Sequence, residues 1–237
     1  MGATRVVGRA ADFKNESSAN LTSARMNETA RIEVEPDPVP IVLILAATLR
    51  RAARTPKLAH AIGRTKGNVA LKSTVDPQAA TMRFGDGGVM VVRGVSEDTD
   101  VLITADINTM SDEHPPSPKV AGVGRHPKLA FTVSKLLDPP HGTWQQEAQR
   151  FFEFAIRKPG VPQSMRVVCT DDGSELTIGN PPAAYELHGS RHALLNVFCG
   201  NTVLGQDLLD GKLFAVGKLA HLAELTGRSL SWMLGQE

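Results

Sequence analysis

The chain is poor in cysteine, in aromatic residues, in charge of one sign and in long apolar runs. Each shortage closes off a class of protein. Two cysteines, Cys169 and Cys199, cannot build a disulfide scaffold, which points to a reducing compartment and a cytoplasmic setting. Aromatic residues make up 5% of the chain, with Tyr185 the single tyrosine, so the stacking surface of a single-strand nucleic-acid binder is missing. Lys and Arg number 26 against 25 acids, a net charge of +1, so no basic field covers the molecule and no nucleic acid is expected as a partner. The longest apolar run, Val39 to Leu49, falls short of the roughly 20 residues a membrane span needs. No apolar stretch near the start reads as a secretory signal. The sequons at Asn15, Asn20 and Asn27 are therefore not expected to carry glycans.

What is there suffices for a core. Of 237 residues 41% are hydrophobic and 22% charged, enough for one large domain or two small ones. Residues 1–37 form a polar stretch with no sustained period, expected to be a disordered tail. The run from Val39 to Leu49 reads as a buried helix, with Pro40 in its first turn and Arg50, Arg51 and Arg54 at its basic end. From Pro38 to Val75 there is no acid at all, while Lys57, Arg64, Lys66 and Lys72 add to those arginines. Such a stretch serves as a solvated helix face, or as a transient contact for an anionic membrane surface or an acyl thioester's phosphates.

The segment Leu136-Leu137-Asp138-Pro139-Pro140-His141-Gly142 cannot continue a helix and divides the rest into units 38–138 and 143–237. Thr143 with Gln146 makes a capping box, and Trp144, Ala148, Phe151, Phe152, Ala155 and Ile156 fall on one helical face. Each unit then shows a hairpin with an Asp-Gly turn: Ala80–Phe84 to Val89–Gly94 around Asp86-Gly87, and Met165–Cys169 to Glu175–Gly179 around Asp172-Gly173. A third strand follows in both, Asp100–Ala105 and Ala184–Gly189, and then a short helical piece, Ile107–Met110 and His192–Phe198. This order of elements reads as an internal repeat of domain size. The second unit closes with a helix to Leu209, a turn at Asp210-Gly211, a strand to Val216 and a helix expected to stop at Gly227.

From Tyr185 to Leu225 the order is a strand ending at Gly189, then Ala193-Leu194-Leu195, Gly200, Asp210-Gly211-Lys212-Leu213-Phe214-Ala215-Val216-Gly217 and a Leu-rich helix. It resembles the sterol carrier protein family of the non-specific lipid-transfer type. The likeness extends back through the Asp172-Gly173 hairpin and the Trp144 helix. The first unit looks like a diverged copy through Phe84-Gly85-Asp86-Gly87 and Asp100-Val101-Leu102-Ile103, and departs from Asn108 to Lys128, where Ser111 to Pro118 interrupts the expected helix. The resemblance implies an α+β fold of two sterol-carrier-like units in tandem, each an antiparallel five-stranded sheet covered by helices. It also implies an apolar tunnel for a lipid, a fatty acyl chain or a sterol-like molecule. Leu194, Leu195, Val197, Phe198, Leu208, Leu209, Leu213, Phe214, Leu219 and Leu222 are the expected lining, though the same side chains would equally fill a solid core.

No catalytic set stands out, and neither a cofactor nor a metal is expected. His188 and His192 are four apart, but Gly189 between them breaks the helix a metal pair would need. Neither cysteine sits in a Cys-x-x-Cys motif, so both read as buried inert thiols. Asp171-Asp172, Asp207 and Asp210 read as turn residues. A carrier of a hydrophobic small molecule is the leading expectation. The alternative is an isomerase or tailoring enzyme on an apolar substrate in the same cavity, with His188, His192 and Glu186 as acid and base. A packed structural protein without a tunnel is the third.

Overall fold

The computed structural model describes residues 30–110 and 112–236. The three sequons and most of the expected tail lie outside the described residues. The chain is α+β, with two sheets, each packed against helices around its own apolar core.

The first sheet has six strands. They are β1 (Arg31–Val34), β2 (Gly67–Ser73), β3 (Ala79–Gly85), β4 (Gly88–Arg93), β5 (Val101–Ala105) and β6 (Lys119–Ala121), in the spatial order β1-β4-β3-β2-β5-β6. Helices α1 (Pro40–Ala53), α2 (Pro56–Arg64) and α3 (Pro127–Leu137) cover it. Each of these helices takes proline at its start, where the missing N–H costs nothing. In α1, Ile41, Val42, Leu45, Leu49 and Ala52 recur at helical spacing and are buried, while Arg50 and Arg51 occupy the last turn. The β3–β4 turn places Asp86 at φ 47 and Gly87 at φ 78, the two left-handed positions that a tight two-residue hairpin requires.

The second sheet has four strands, β7 (Ser164–Cys169), β8 (Glu175–Gly179), β9 (Tyr185–Gly189) and β10 (Leu213–Gly217), in the order β10-β9-β7-β8. Its helices are α4 (Trp144–Ala155), α5 (Arg191–Cys199), α6 (Leu204–Leu209) and α7 (Leu219–Met233). The capping box of α4 is formed: Thr143 Oγ1 accepts from Gln146 N, and Gln146 Oε1 accepts from Thr143 N at 3.1 Å. Its expected face, from Trp144 to Ala155, is buried.

Five expectations change. The sheets are mixed rather than antiparallel, because β1 runs parallel to β4, β2 to β5 and β7 to β9. Neither has five strands. The two Asp-Gly hairpins are not equivalent: one joins β3 to β4, both interior strands of their sheet, and the other joins the interior strand β7 to the edge strand β8. What matches is the pairing of β2 and of β7, each antiparallel to the next strand and parallel to a later one. Residues 31–34, read as the end of a tail, form β1. Finally, α7 runs through Gly227, which faces open space. The helix continues because its last turns are anchored: Ser229 Oγ accepts from Leu204 N at 2.9 Å, and Trp232 Nε1 donates to Phe198 O at 2.8 Å.

The units meet where three helices end. Arg51 Nη1 donates to Cys199 O at the end of α5, and Nη2 donates to Thr48 Oγ1 at 3.0 Å. The Arg54 guanidinium lies 5.5 Å from the centre of the Trp232 ring. A second tie is the ion pair of Lys212 Nζ with Asp112 Oδ1 at 3.1 Å.

Candidate functional site

The expected tunnel residues divide by the geometry of their elements. Leu194, Val197 and Phe198 are fully buried in the core of the second unit, and Phe198 packs against Phe151 with ring centres 5.7 Å apart. In β10 the side chains alternate, so Leu213 points into that core while Phe214 and Val216 point out. Leu195, Leu208 and Leu222 are half-buried along the core's border. Leu209, Phe214 and Leu219 are 85%, 64% and 78% exposed. Most of the expected lining therefore belongs to one core, while Leu209, Phe214 and Leu219 lie on the surface of the segment 209–219.

One buried polar atom in this core has no counterpart among the expected site residues. Tyr185 is 2% exposed and its hydroxyl has no hydrogen-bond partner among the described residues. Burial raises the phenol above its usual range, so it stays a neutral donor. Tyr185 opens β9 and pairs with Gly217, the last residue of β10 and two residues before the exposed Leu219. A side chain at Gly217 would collide with the Tyr185 ring, so glycine there lets the ring lie flat against the strand end. The sequence offers no signal for this beyond the rarity of tyrosine.

A polar cavity of about 170 Å³ lies at the start of α5, among Ser190, His192, Asn196, Thr202, Asp207 and Lys212, with Asp112 and Glu113 from the first unit. Ser190 caps α5 by accepting from Ala193 N at 3.2 Å. Asn196 Nδ2 lies 2.8 Å from His192 Nε2. Asp207, read as a turn residue, is instead a buried position in α6 whose Oδ2 accepts from Thr202 Oγ1 at 2.7 Å. Burial raises its carboxyl above the usual range.

The acid–base candidates do not converge. His188 Nε2 and Glu186 Oε2 are 3.3 Å apart on the face of the sheet opposite the core, with Phe214 beside them, while His192 lines the polar cavity. Cys169 and Cys199 are buried free thiols, and burial pushes Cys199 up to about 12. Among the described residues no three His, Cys, Asp or Glu side chains gather as metal ligands. Nor is any helix among them long and apolar enough to cross a membrane.

No family model matches the chain, and no curated protein matches it. Among solved structures, one match is a conserved hypothetical protein of Thermus thermophilus, described as a possible sterol carrier protein. It is 10% identical, covers 87% of this chain and 93% of its own, and has a TM-score of 0.19.

Proposed function

We propose that the chain binds and carries a hydrophobic small molecule, an amphiphile of the fatty acyl or sterol-like kind, in the second unit. The observation that carries this reading is the unpartnered Tyr185 hydroxyl. A buried donor without an acceptor costs free energy in the empty protein. A carboxyl, ester or hydroxyl oxygen at the end of an apolar molecule would satisfy it. Leu194, Phe198, Leu213 and the bordering Leu195, Leu208 and Leu222 would then pack the apolar body. The exposed Leu209, Phe214 and Leu219 would guide it in beside the start of α7, since exposed apolar side chains grouped on one segment mark contact with apolar partners. The acid-free basic stretch of residues 38–75 would assist by transient contact with an anionic membrane surface or an acyl thioester. The setting would be the cytoplasm, and the two units would be tandem copies of one fold.

A fluorescent polyene fatty acid titrated into the full chain tests the reading. The expected result is saturable binding that Tyr185→Phe weakens about tenfold, as loss of one buried hydrogen bond would. The variant should melt no lower than the parent, because it removes an unsatisfied hydroxyl. Failure to bind either the fatty acid or a fluorescent sterol would overturn the proposal. So would unchanged affinity in the variant.

A further inference from the structure

We propose that the outward face of α3, with β6 and the turn that joins them, docks the first unit onto an anionic membrane surface. From His114 to Leu137 the sequence has no acid, while Lys119, Arg125, Lys128 and Lys135 are present and exposed. None of these four pairs with a carboxylate among the described residues. The carboxylates that meet the segment are directed to other groups. Asp100 accepts from Asn68 N at 2.8 Å and lies 3.5 Å from His126 Nε2, and Asp138, just past α3, lies 3.9 Å from His141 Nε2.

Apolar side chains stand among these cations. Helix α3 buries Leu129, Val133 and Leu136 in the core of the first unit. Lys128, Phe131 and Lys135 are spaced three and four apart, so they form one line along the face turned to solvent. Phe131 is 63% exposed, and the Lys135 ammonium lies 4.1 Å from the centre of its ring. Val120 on β6 and Val123 in the turn are also exposed. That turn is fixed in place. Gly122 takes φ 87 against the Asp100 backbone, where a side chain would collide, and its carbonyl accepts from Arg125 N at 3.1 Å and His126 N at 3.0 Å. The strand β6 is the last of its sheet, so Val120 stands at an open edge.

A single exposed apolar side chain is ordinary surface. An aromatic ring and two valines among four cations are a different composition. An acidic peptide or a nucleic acid would neutralise the cations and leave the apolar groups in water. An anionic bilayer serves both, because the ring and the valines enter the headgroup layer while the basic side chains meet lipid phosphates.

The surface belongs to the first unit, whereas the proposed carrier site lies in the core of the second. It also lies outside the basic stretch of residues 38–75. Uptake of a fatty acid in solution and docking onto vesicles can therefore fail separately.

Co-sedimentation of the full chain with phosphatidylcholine vesicles, with and without phosphatidylserine, tests the proposal. The chain should bind the phosphatidylserine vesicles and leave the neutral ones. Lys128→Gln combined with Lys135→Gln should weaken that binding about tenfold or more, since each basic residue near an anionic surface contributes about 1 kcal/mol. Phe131→Ser should weaken it several-fold, and Phe131→Leu, which keeps an apolar side chain, should retain most of it. The substituted side chains are exposed, so all of these variants should melt with the parent and behave as it does toward the polyene fatty acid in solution. The proposal is overturned if phosphatidylserine vesicles are not bound, if neutral vesicles are bound equally well, or if either Phe131→Ser or the double lysine variant binds as the parent does.

Discussion

The guanidinium of Arg51, near the end of α1, donates to the carbonyl of Cys199, the last residue of α5, and so ties the first unit to a helix end in the second. The bond is partly buried and charge-assisted, and its acceptor is one of the carbonyls a helix cannot satisfy by itself. Arg51→Met should therefore cost about 1–3 kcal/mol, read as a lower urea midpoint. Arg51→Lys should recover only part of the loss. An ammonium on a flexible stem does not reproduce the fork that serves Cys199 and Thr48 together.

Gly200 follows directly and ends α5 in the left-handed region at φ 71. An added Cβ would lie 3.0 Å from the Trp232 ring and 3.2 Å from Arg51 Nη1. Gly200→Ala should therefore cost more than the usual ~1 kcal/mol of a left-handed glycine, because the Arg51 and Trp232 contacts must also give. Comparison of its melting temperature with that of Gly211→Ala checks this. Gly211 shares φ 71 but meets open space.

Asp207 makes stability depend on pH. Burial raises its carboxyl in the folded chain, so the fold binds the proton more tightly than the unfolded chain does. That contribution is fully present below the unfolded value of about 3.9 and is lost as pH rises through the folded value. Asp207→Asn keeps an acceptor for Thr202 and removes the titration. Its stability relative to the parent should therefore rise between about pH 4 and about pH 7. Urea midpoints at the two pH values measure the difference, and a constant gap would show that the carboxyl does not titrate in this way.

Phe214 and Leu209 separate delivery of cargo from its retention. Both are mostly exposed, so Phe214→Ser with Leu209→Ser should leave the stability within about 0.5 kcal/mol of the parent. Under the carrier proposal the double variant takes up the polyene fatty acid from donor vesicles several-fold more slowly, with little change in equilibrium affinity. Stopped-flow transfer against equilibrium titration distinguishes the two effects.

Much of the second unit is legible in its sequence. The capping box at Thr143 and the Asp172-Gly173 hairpin are local signals, and they form as read, whereas Phe214, grouped with Leu213 as lining, turns away from the core because neighbours in a strand face opposite sides. What escapes is decided at a distance. Gly227 has the character of a helix stop, yet Ser229 and Trp232 hold α7 beyond it through bonds to Leu204 and Phe198. Asp207 beside a turn looks like a turn residue until Thr202 and the packing of α6 bury it. The arginines at the end of α1 are plain as charge, but Trp232, whose ring Arg54 meets, is near the other end of the chain. Tyr185 shows itself as unpaired only when every neighbour of its hydroxyl is known.

The strand β1 has a consequence for the integrity of the first sheet. Arg31 to Val34 lie against β4 in parallel register, and Arg93 reaches back to Glu35 and the Asp37 carbonyl to hold the segment there. Gly88 lets the strands approach, since a side chain there would run into the Arg31 backbone. Proteolytic trimming between residues 35 and 39 would strip this cover and lay bare the outer hydrogen-bonding row of β4. A clipped chain would then offer the longer β4 as a template for strand exchange, so nicked preparations should oligomerise more than intact ones.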